Sequence, residues 1–284
     1  MKIAFQGVEG AYSHLACRRV YPDAQHIPCD DFQQALKSVV DGVADFAMIP
    51  LENSTAGRVE EIYRLIPRTD LHVIGEHFEP VNHCLLSLPS TDLQQIEWVS
   101  SHPQALAQCQ NNIYAHGWRT LASVDTAGAA KLISQKKFND SDFGAVVASE
   151  LAAELYGLTV LKRHFEDSVG NTTRFLIFSQ EPLKSETWSD ESMITSIIFS
   201  VRNIPSALYK ALGGFATNGV NMSKIESYMD GGTMAASHFH IDVDGHPGDK
   251  NMQNALDELS FFASSVRVIG VFPKHPYRFK ATYV

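Results

Sequence analysis

Cysteine and long apolar runs are both scarce in this sequence. Its 284 residues include four cysteines, none of them in a C-x-x-C pair and none at a spacing typical of zinc sites. No apolar run approaches the roughly 18 residues that span a bilayer, and the apolar run at the start is too short for a signal peptide. These absences predict a cytoplasmic protein without membrane contact, with buried or unreactive thiols at Cys17, Cys29, Cys84 and Cys109.

Basic residues are outnumbered by acidic ones. The chain has 23 Lys and Arg against 32 Asp and Glu, which gives a formal net charge of -9. Nucleic-acid binding needs a basic surface, so this balance argues against a nucleic-acid partner. A small anionic substrate remains compatible, because one arginine or one helix N-terminus can outweigh distant charge. The 44% hydrophobic and 19% charged fractions are typical of a globular protein, and the length suggests two domains.

Short apolar strands alternate with helical patterns over residues 1–180. The predicted strands include 2–6, 44–49, 96–100, 143–148 and 174–178. Ser13 is a candidate N-cap for a helix over 13–20, a second helical pattern covers 57–66, and a single helix is predicted over 101–117. This alternation is typical of α/β layers with largely parallel sheets. Two sheets with a cleft between them are compatible with it, although spacing alone does not require them.

A polar, aperiodic segment separates this region from a C-terminal region with a different order of predicted strands and helices. Residues 181–192 (EPLKSETWSDES) are predicted to be a linker. The elements that follow are strand 193–202, helix 205–218, strands 221–229 and 234–243, helix 250–264 and strand 266–272. This βαββαβ order predicts a ferredoxin-like domain over 193–284. Such a domain can also be a simple dimerisation module with ordinary amphipathic helices.

Polar turns after strands are the candidate binding sites, because ligands of α/β sheets bind beyond the carboxyl ends of the strands. In QGVEGAYSH, Gly7 and Gly10 permit a tight turn and a close backbone approach, and Ser13 offers a hydroxyl. A strand–helix turn that needs glycine only for its geometry is at least as good an explanation. The spacing is not G-x-G-x-x-G, so a nicotinamide cofactor is not supported.

The PLENSTAG turn follows the predicted strand 44–49. It places four polar side chains in one turn: Glu52, Asn53, Ser54 and Thr55. Capping of the next helix could use one of the two hydroxyls, but it does not need all four side chains. The sequence therefore favours a functional role for this turn.

Two further turns carry polar groups. The SSHPQALAQC segment brings Ser101, His102 and Gln104 to a predicted helix N-terminus, where the helix dipole favours an anion. The NTTRF segment leads into a buried strand through Thr173 and Arg174. A buried arginine needs a partner, which is either a nearby carboxylate of Glu166 or Asp167, or a substrate carboxylate held by the guanidinium fork.

These segments together resemble the prephenate dehydratase family. GVEGAYS resembles its glycine-rich opening, and PLENSTAG, VSSHPQALAQC and NTTRF resemble its three internal signatures in the same order. The βαββαβ tail resembles an ACT domain. The resemblance implies a two-lobed catalytic region over 1–180, similar to a type II periplasmic binding protein, with its site in the cleft. It also implies a homodimer or homotetramer, no metal or organic cofactor, and L-phenylalanine as feedback inhibitor.

The resemblance implies catalytic and binding roles for particular residues. Thr173 would assist departure of the ring hydroxyl of prephenate, with the proton coming from Glu52 or His102, and Arg174 would hold a carboxylate. The four residues assigned to catalysis are Thr173, Arg174, Glu52 and Asn53. The residues assigned to substrate binding are Tyr12, Ser13, Ser54, Thr55, Ser101, His102, Gln104, Asn171 and Phe175.

The effector motifs of the tail differ from the family pattern. The G-A-L stretch reads Ser206-Ala207-Leu208, with serine in place of glycine, and the E-S-R-P stretch reads Glu226-Ser227-Tyr228-Met229. We predict that phenylalanine still binds, with weaker affinity or an altered response. The assigned effector-binding residues are Asn203, Ala207, Leu208, Asn221, Ile225, Glu226 and Ser227.

Two other functions remain open at this point. Arogenate dehydratase would perform the same chemistry on an aminated side chain. A non-catalytic amino-acid-binding protein would use Arg174 to hold the carboxylate of its ligand. The absence of a predicted signal peptide and the fused sensor domain favour the regulated enzyme.

Overall fold

A computed structural model describes residues 1–89, 91–136, 143–184, 192–202, 204–229 and 238–280. The strands are β1 (Lys2–Gln6), β2 (Gln25–Cys29), β3 (Phe46–Asn53), β4 (Gly57–Arg58), β5 (His72–Pro80), β6 (Cys84–Ser87), β7 (Trp98–Ser101), β8 (Arg119–Ala122), β9 (Gly144–Ala148), β10 (Thr159–Lys162), β11 (Thr172–Ser179), β12 (Met193–Val201), β13 (Met222–Tyr228), β14 (His238–Asp244) and β15 (Ala263–Pro273). The helices are α1 (Tyr12–Val20), α2 (Phe32–Val40), α3 (Glu60–Leu65), α4 (Pro103–Gln108), α5 (Gln110–Ala115), α6 (Thr126–Ser134), α7 (Glu150–Tyr156), α8 (Ala207–Thr217), α9 (Lys250–Phe262) and α10 (Tyr277–Lys280). Asn203, most of the predicted linker and the first part of the predicted strand 234–243 lie outside the described residues.

The chain divides into two compact units, residues 1–59 with 77–175 and residues 60–76 with 176–284. The first unit contains two sheets. In its first sheet, β1 pairs in parallel with β2 and β3, and the start of β11 lies beside β3. Its second sheet has the order β10-β6-β9-β7-β8, with β7 parallel to β8 and β9 and with β6 antiparallel to β9 and β10. The predicted α/β fold is confirmed.

The second sheet is buried on both faces, which explains its continuous apolar strands. Successive side chains of a strand point to opposite faces. In β9, Ala145 and Val147 join the cluster that includes Ala105 of α4 and Ile113 of α5. The intervening Val146 and Ala148 join the cluster formed with α6 and α7. The strand therefore anchors two helical layers, and the turns after β7 and β8 extend from a rigid base.

The second unit contains the predicted βαββαβ order as β12, α8, β13, β14, α9 and β15. Its strands pair antiparallel in the order β13-β14-β12-β15. Helices α8 and α9 contribute Ala211, Phe215, Met252, Ala255 and Leu259 to a core shared with the strands. The amphipathic faces seen in the sequence are thus buried against one side of the sheet.

Residues 60–76 group with the C-terminal part of the chain, which the predicted boundary at residue 180 did not anticipate. Arg267 of β15 donates to the carbonyl oxygens of Ile66 and Thr69 at 2.6 and 2.7 Å. Arg278 donates to both carboxylate oxygens of Glu76 at 2.6 and 2.8 Å. These contacts join positions about two hundred residues apart, so no local pattern could have predicted them.

Two helix predictions were wrong in detail. Helix α1 begins at Tyr12 after Ala11, and Ser13 lies within it as a buried residue rather than as its N-cap. The single helix predicted over 101–117 is divided into α4 and α5 at Cys109. The second helix begins there because the carboxylate of Asp167 accepts the backbone N–H groups of Asn111 and Asn112 at 2.8 and 3.0 Å.

The PLENSTAG region also differs from its prediction. The strand predicted over 44–49 runs from Phe46 to Asn53, so most of the motif up to Asn53 is strand rather than turn. The helical pattern over 57–66 becomes the short strand β4 followed by α3. Among the described residues, no helix is both long and apolar enough to cross a membrane.

Candidate active site

A cleft of about 440 Å³ opens between the two sheets of the first unit. One wall comes from the residues after β1, the end of β3 and the start of β11, and the other comes from the turns after β7 and β8. Apart from the start of β11, which is the amino end of that strand, these are carboxyl ends of parallel strands, where ligands of α/β sheets bind. The predicted site residues that line it are Tyr12, Ser13, Asn53, His102, Gln104, Asn171, Thr173 and Phe175.

Asn53 is the centre of the hydrogen bonds on the first wall. Its Oδ1 accepts the backbone N–H groups of Thr55 and Ala56 at 3.0 and 2.8 Å, which fixes the orientation of the amide. Its Nδ2 therefore faces Asn171 Oδ1 at 2.6 Å and Thr173 Oγ1 at 3.0 Å. The Thr173 oxygen accepts this bond, so its own hydrogen can be donated elsewhere.

A second set of hydrogen bonds crosses the cleft. Asn171 Nδ2 donates to Gln108 Oε1 at 2.9 Å, and His83 Nε2 lies 2.8 Å from the same oxygen. The other ring nitrogen of His83 lies 3.0 Å from the hydroxyl of Tyr12, which donates to the carbonyl oxygen of Asn82 at 2.8 Å. The bonds from Asn53 to Tyr12 form one continuous polar network.

Burial keeps the Tyr12–His83 pair neutral. Burial raises the pKa of Tyr12 well above its usual value, and the charges of neighbouring acidic groups add to this. Burial lowers the pKa of His83, against smaller opposing effects of the Gln108 hydrogen bond and the Glu166 carboxylate. Neither group therefore brings a permanent charge into the cleft at neutral pH.

Arg174 is paired with a carboxylate that the sequence had placed beside the substrate. Its side chain is 3% exposed, and its Nη1 lies 3.0 Å from Glu52 Oε1. Neither residue is among those lining the cleft. The local partners considered for it, Glu166 and Asp167, instead accept backbone N–H groups of His83 and of the α5 N-terminus. The carboxylate that contacts Arg174 is thus that of Glu52 rather than one from the Glu166–Asp167 segment, which was one of the two alternatives in the sequence.

Three other predicted binding residues lie outside this lining. Ser101 is fully buried and its hydroxyl donates to the carbonyl oxygen of Val147 at 2.6 Å. The Ser54 hydroxyl accepts the backbone N–H of Thr172 at 2.9 Å and so joins the motif to β11. Thr55 lines a neighbouring cavity of about 560 Å³ together with Gln108 and Asn171.

The glycine-rich turn after β1 holds the two sides of the first unit together. Gly10 has φ +88°, and a Cβ placed on it would lie 3.1 Å from Ala152 of α7. Its carbonyl oxygen accepts the Ser149 hydroxyl at 2.6 Å, and Tyr156 donates to the carbonyl oxygen of Glu9 at 2.6 Å. The geometric explanation for this glycine is supported, because the turn needs both a left-handed backbone and a close approach.

The cleft residues that sequence reasoning missed include Arg58, His83 and Gln108. Gln108 lies four residues after Gln104, so a shared helical face was a signal that could have identified it. Arg58 lies just beyond the PLENSTAG motif, where no pattern distinguished it from a surface arginine. A lone histidine such as His83 has no local signal of function.

The four cysteines lie in environments that disfavour the thiolate. All four cysteines are free and buried, and burial raises the pKa of each, to about 11 for Cys84. The prediction of buried thiols is confirmed. Within the described part of the chain, no group of three or more His, Cys, Asp or Glu side chains is arranged to hold a metal ion.

The effector residues predicted in the second unit occupy varied positions. Ala207 is buried at the start of α8 and Leu208 packs partly against the unit's core. Asn221 Nδ2 donates to Asp244 at 2.9 Å, and Glu226 lies 3.8 Å from Lys224. Ile225 and Ser227 are exposed. Ser206, which replaces the family's glycine, has φ +61° and ψ 22°, a left-handed conformation that favours glycine.

Comparison with known proteins agrees with the motifs. The family model described as prephenate dehydratase matches residues 3–183. A bifunctional N-acyl-homoserine lactone acylase/prephenate dehydratase of Komagataeibacter europaeus is 45% identical over 98% of both chains. Arogenate dehydratase/prephenate dehydratase 1 of Arabidopsis thaliana, a chloroplastic protein, is 39% identical over 96% of this chain and 72% of its own.

Solved structures extend the similarity to the whole fold. The prephenate dehydratase of Arthrobacter aurescens, solved in complex with L-Phe, superposes with a TM-score of 0.85 at 30% identity, over 96% of this chain and 90% of its own. A structure described as GqqA, a novel type of quorum quenching acylase, superposes with a TM-score of 0.90 at 45% identity, over 98% and 100%. The resemblance read from the motifs is confirmed, and the chain belongs to the prephenate dehydratase family.

Proposed function

We propose that this chain is a cytoplasmic prephenate dehydratase that converts prephenate to phenylpyruvate. The observation that carries the proposal is the Thr173 hydroxyl, which lines the cleft and accepts a hydrogen bond from the fixed amide of Asn53. Its hydrogen is therefore available to a leaving group. In the reaction, the bond to the ring carboxylate breaks and its electrons complete the aromatic ring. The ring hydroxyl leaves with a proton as water, and carbon dioxide is released.

The protein's task in this reaction is positioning and polarisation, because aromatisation supplies the driving force. Thr173 donates to the departing hydroxyl as part of a relay, since a threonine hydroxyl is itself a weak acid. Of the two proton sources considered, His102 lines the cleft and Glu52 is held by Arg174. His102 Nδ1 accepts the backbone N–H of Gln104 at 3.3 Å, so Nε2 is the ring nitrogen that can donate into the cleft. This geometry favours His102.

The carboxylates of prephenate need cationic or N–H partners in the same cleft. We assign this role to Arg58, which brings a guanidinium to the lining, and not to Arg174. The pair Arg174–Glu52 would then act indirectly by fixing the end of β3 beside the start of β11. Phe175 and Val59 provide apolar wall for the ring.

Separate substitutions of Arg58 and Arg174 test which of them holds a substrate carboxylate. Arg58→Gln is expected to raise KM about tenfold or more, because a hydrogen-bonded charge to the substrate is lost, with kcat less affected. Arg174→Lys, which removes the planar fork from a buried pair, is expected to lower the melting temperature and leave KM near that of the wild type. Steady-state kinetics and thermal denaturation measure both. The opposite pattern would return the carboxylate role to Arg174.

Activity on the substrate tests the function itself. Purified protein mixed with prephenate should produce phenylpyruvate, followed by its absorbance in alkali. The same assay with arogenate decides between the two dehydratase activities, since family members carry both names. Binding of these compounds without turnover would support the non-catalytic binding protein instead.

A second activity is suggested by one relative. The Komagataeibacter protein, 45% identical over nearly its full length, is described as both an N-acyl-homoserine lactone acylase and a prephenate dehydratase. We propose amide hydrolysis of N-acyl-homoserine lactones as a candidate activity of this chain. Release of homoserine lactone from such a substrate, measured by mass spectrometry, tests it. Loss of both activities in Thr173→Ala would place them in the same cleft.

Phenylalanine is the effector that we propose for the second unit, in a homodimer or homotetramer. The Arthrobacter protein was solved with L-Phe, and this chain has a fold of the same kind. The left-handed Ser206 strains the start of α8, at a cost of about 1–2 kcal/mol. Relief of this strain in Ser206→Gly should raise the melting temperature. Calorimetry is expected to show phenylalanine binding to both proteins, and tighter binding to the variant because the bulk of the serine side chain is removed. Absence of heat with both proteins, at millimolar phenylalanine, would contradict an effector role.

A further inference from the structure

The network that reaches Thr173 has a direction that can be deduced atom by atom. Two backbone N–H groups fix Asn53 Oδ1, so Asn53 presents its NH₂ group to Asn171. Asn171 must therefore present its oxygen to Asn53 and its NH₂ group to Gln108. Gln108 in turn presents its oxygen to Asn171. Each amide in the series has its orientation determined by the one before it.

The last member of the series is His83. Its Nε2 lies 2.8 Å from the Gln108 oxygen that already accepts from Asn171. A carbonyl oxygen cannot donate, so Nε2 must carry the hydrogen. The lowered pKa of this buried ring keeps it neutral, so Nδ1 is left as an acceptor 3.0 Å from the Tyr12 hydroxyl, whose single hydrogen it shares with the carbonyl oxygen of Asn82 at 2.8 Å. The structure thus selects one of the two neutral tautomers of His83.

This arrangement anchors a bridge across the cleft at both of its ends. Asn53 is held by backbone N–H groups on one wall, and Gln108 is held by His83 on the other. His83 itself is 2% exposed, and its backbone N–H donates to the buried carboxylate of Glu166 at 2.7 Å. If the Nε2 hydrogen were absent, Gln108 could reverse its amide and present NH₂ to the NH₂ of Asn171, which breaks the bridge.

We propose that His83 is a positioning residue for the dehydration, acting through its Nε2–H bond to Gln108. This bond holds the Gln108–Asn171 bridge, and the bridge holds Asn53 and Thr173 in the arrangement that leaves the Thr173 hydrogen free for the leaving group. The inference rests on the proposed function, because it assigns His83 a role in that same cleft.

Two substitutions distinguish the roles of the two ring nitrogens of His83. Glutamine can place an N–H near the Nε2 position, whereas asparagine reaches only the Nδ1 position. We expect His83→Gln to keep kcat within a few-fold of wild type and His83→Asn to lose about 10- to 100-fold, since small misplacements carry such costs. KM should change little in both variants. Equal activity of both variants, whether high or low, would overturn the proposal.

A double substitution tests whether His83 affects kcat through Asn171. If His83 acts through Asn171, then His83→Asn combined with Asn171→Ala should lose less kcat than the product of the two single losses. Losses that multiply independently would show that His83 acts elsewhere. Melting temperatures of the four proteins identify any contribution from unfolding.

The tautomer can be measured without any substrate. Histidine ¹⁵N chemical shifts of the full chain, with the His83 ring assigned through its own backbone resonances, should show a neutral ring with the proton on Nε2. A proton on Nδ1 would overturn the inference even if the variants fail to fold. An inactive wild type with prephenate would instead reject the proposed function, so the two failures are distinguishable.

Discussion

Thr173→Ala is expected to lower kcat for prephenate about 100-fold or more, because removing one well-placed donor to developing charge costs about 2.7–4 kcal/mol. The hydroxyl lines the cleft, and Asn53 Nδ2 occupies its acceptor side at 3.0 Å. Its own hydrogen is therefore directed to whatever occupies the cleft. Since alanine removes only this donor and a methyl group from a half-buried position, the fold should persist, and KM should change less than kcat.

Matched variants identify the hydroxyl as the cause. Thr173→Ser keeps a hydroxyl on the same backbone and is expected to retain most of the turnover. Thr172→Ala removes the neighbouring hydroxyl, which does not line the cleft and lies 3.4 Å from the carbonyl oxygen of Gly170, and should have little effect on kcat. Steady-state kinetics and circular dichroism report on all three. Turnover of Thr173→Ala close to wild type would remove Thr173 from the mechanism.

Gly270→Ala is expected to have the largest effect on stability. Gly270 of β15 pairs in parallel with Val73 of β5, and a Cβ placed on Gly270 would lie 2.1 Å from the Val73 carbonyl oxygen. The obstacle is backbone, so relief requires the two strands to move apart. Overpacking of this kind typically costs about 1–3 kcal/mol and occasionally more, which lowers the melting temperature by several degrees in a chain of this size.

Gly213→Ala is the control for this change. Gly213 lies within α8, and a Cβ placed on it meets no atom within 4 Å. Alanine there should stabilise by up to about 0.8–1.0 kcal/mol through helix propensity. The two glycine substitutions should therefore shift the urea midpoint in opposite directions. A Gly270→Ala protein as stable as the wild type would show that β5 and β15 do not approach each other this closely.

Arg174 shows why part of the site could not be predicted. The cost of burying an unpaired guanidinium predicts that a partner exists, but it does not say which carboxylate provides it. The partner is Glu52, 122 residues away, and the nearby Glu166 and Asp167 bond to backbone elsewhere. A substrate clamp and an internal ion pair have the same local sequence, so only the fold distinguishes them.

Some residues of the cleft could likewise be predicted from the sequence, and others could not. Asn53, Asn171 and Thr173 belong to motifs whose excess of polar groups at the ends of strands was visible in the sequence. His83 was not visible, because its role depends on Gln108, 25 residues away. Ser101 was visible for the same reason as Asn53, yet its hydroxyl bonds to the carbonyl oxygen of Val147 in the sheet. A polar side chain after a strand can therefore face either the cleft or the backbone.

The α/β alternation, the βαββαβ order of the tail and the family could all be predicted from the sequence, because periodicity and short motifs are local properties of the chain. Only the folded chain shows which motif residues line the cleft, that residues 60–76 group with the C-terminal unit, and that His83 lies beside Gln108. Those outcomes depend on contacts between residues far apart in sequence. Their free energies arise from desolvation and pairing in the folded state, which no local pattern records.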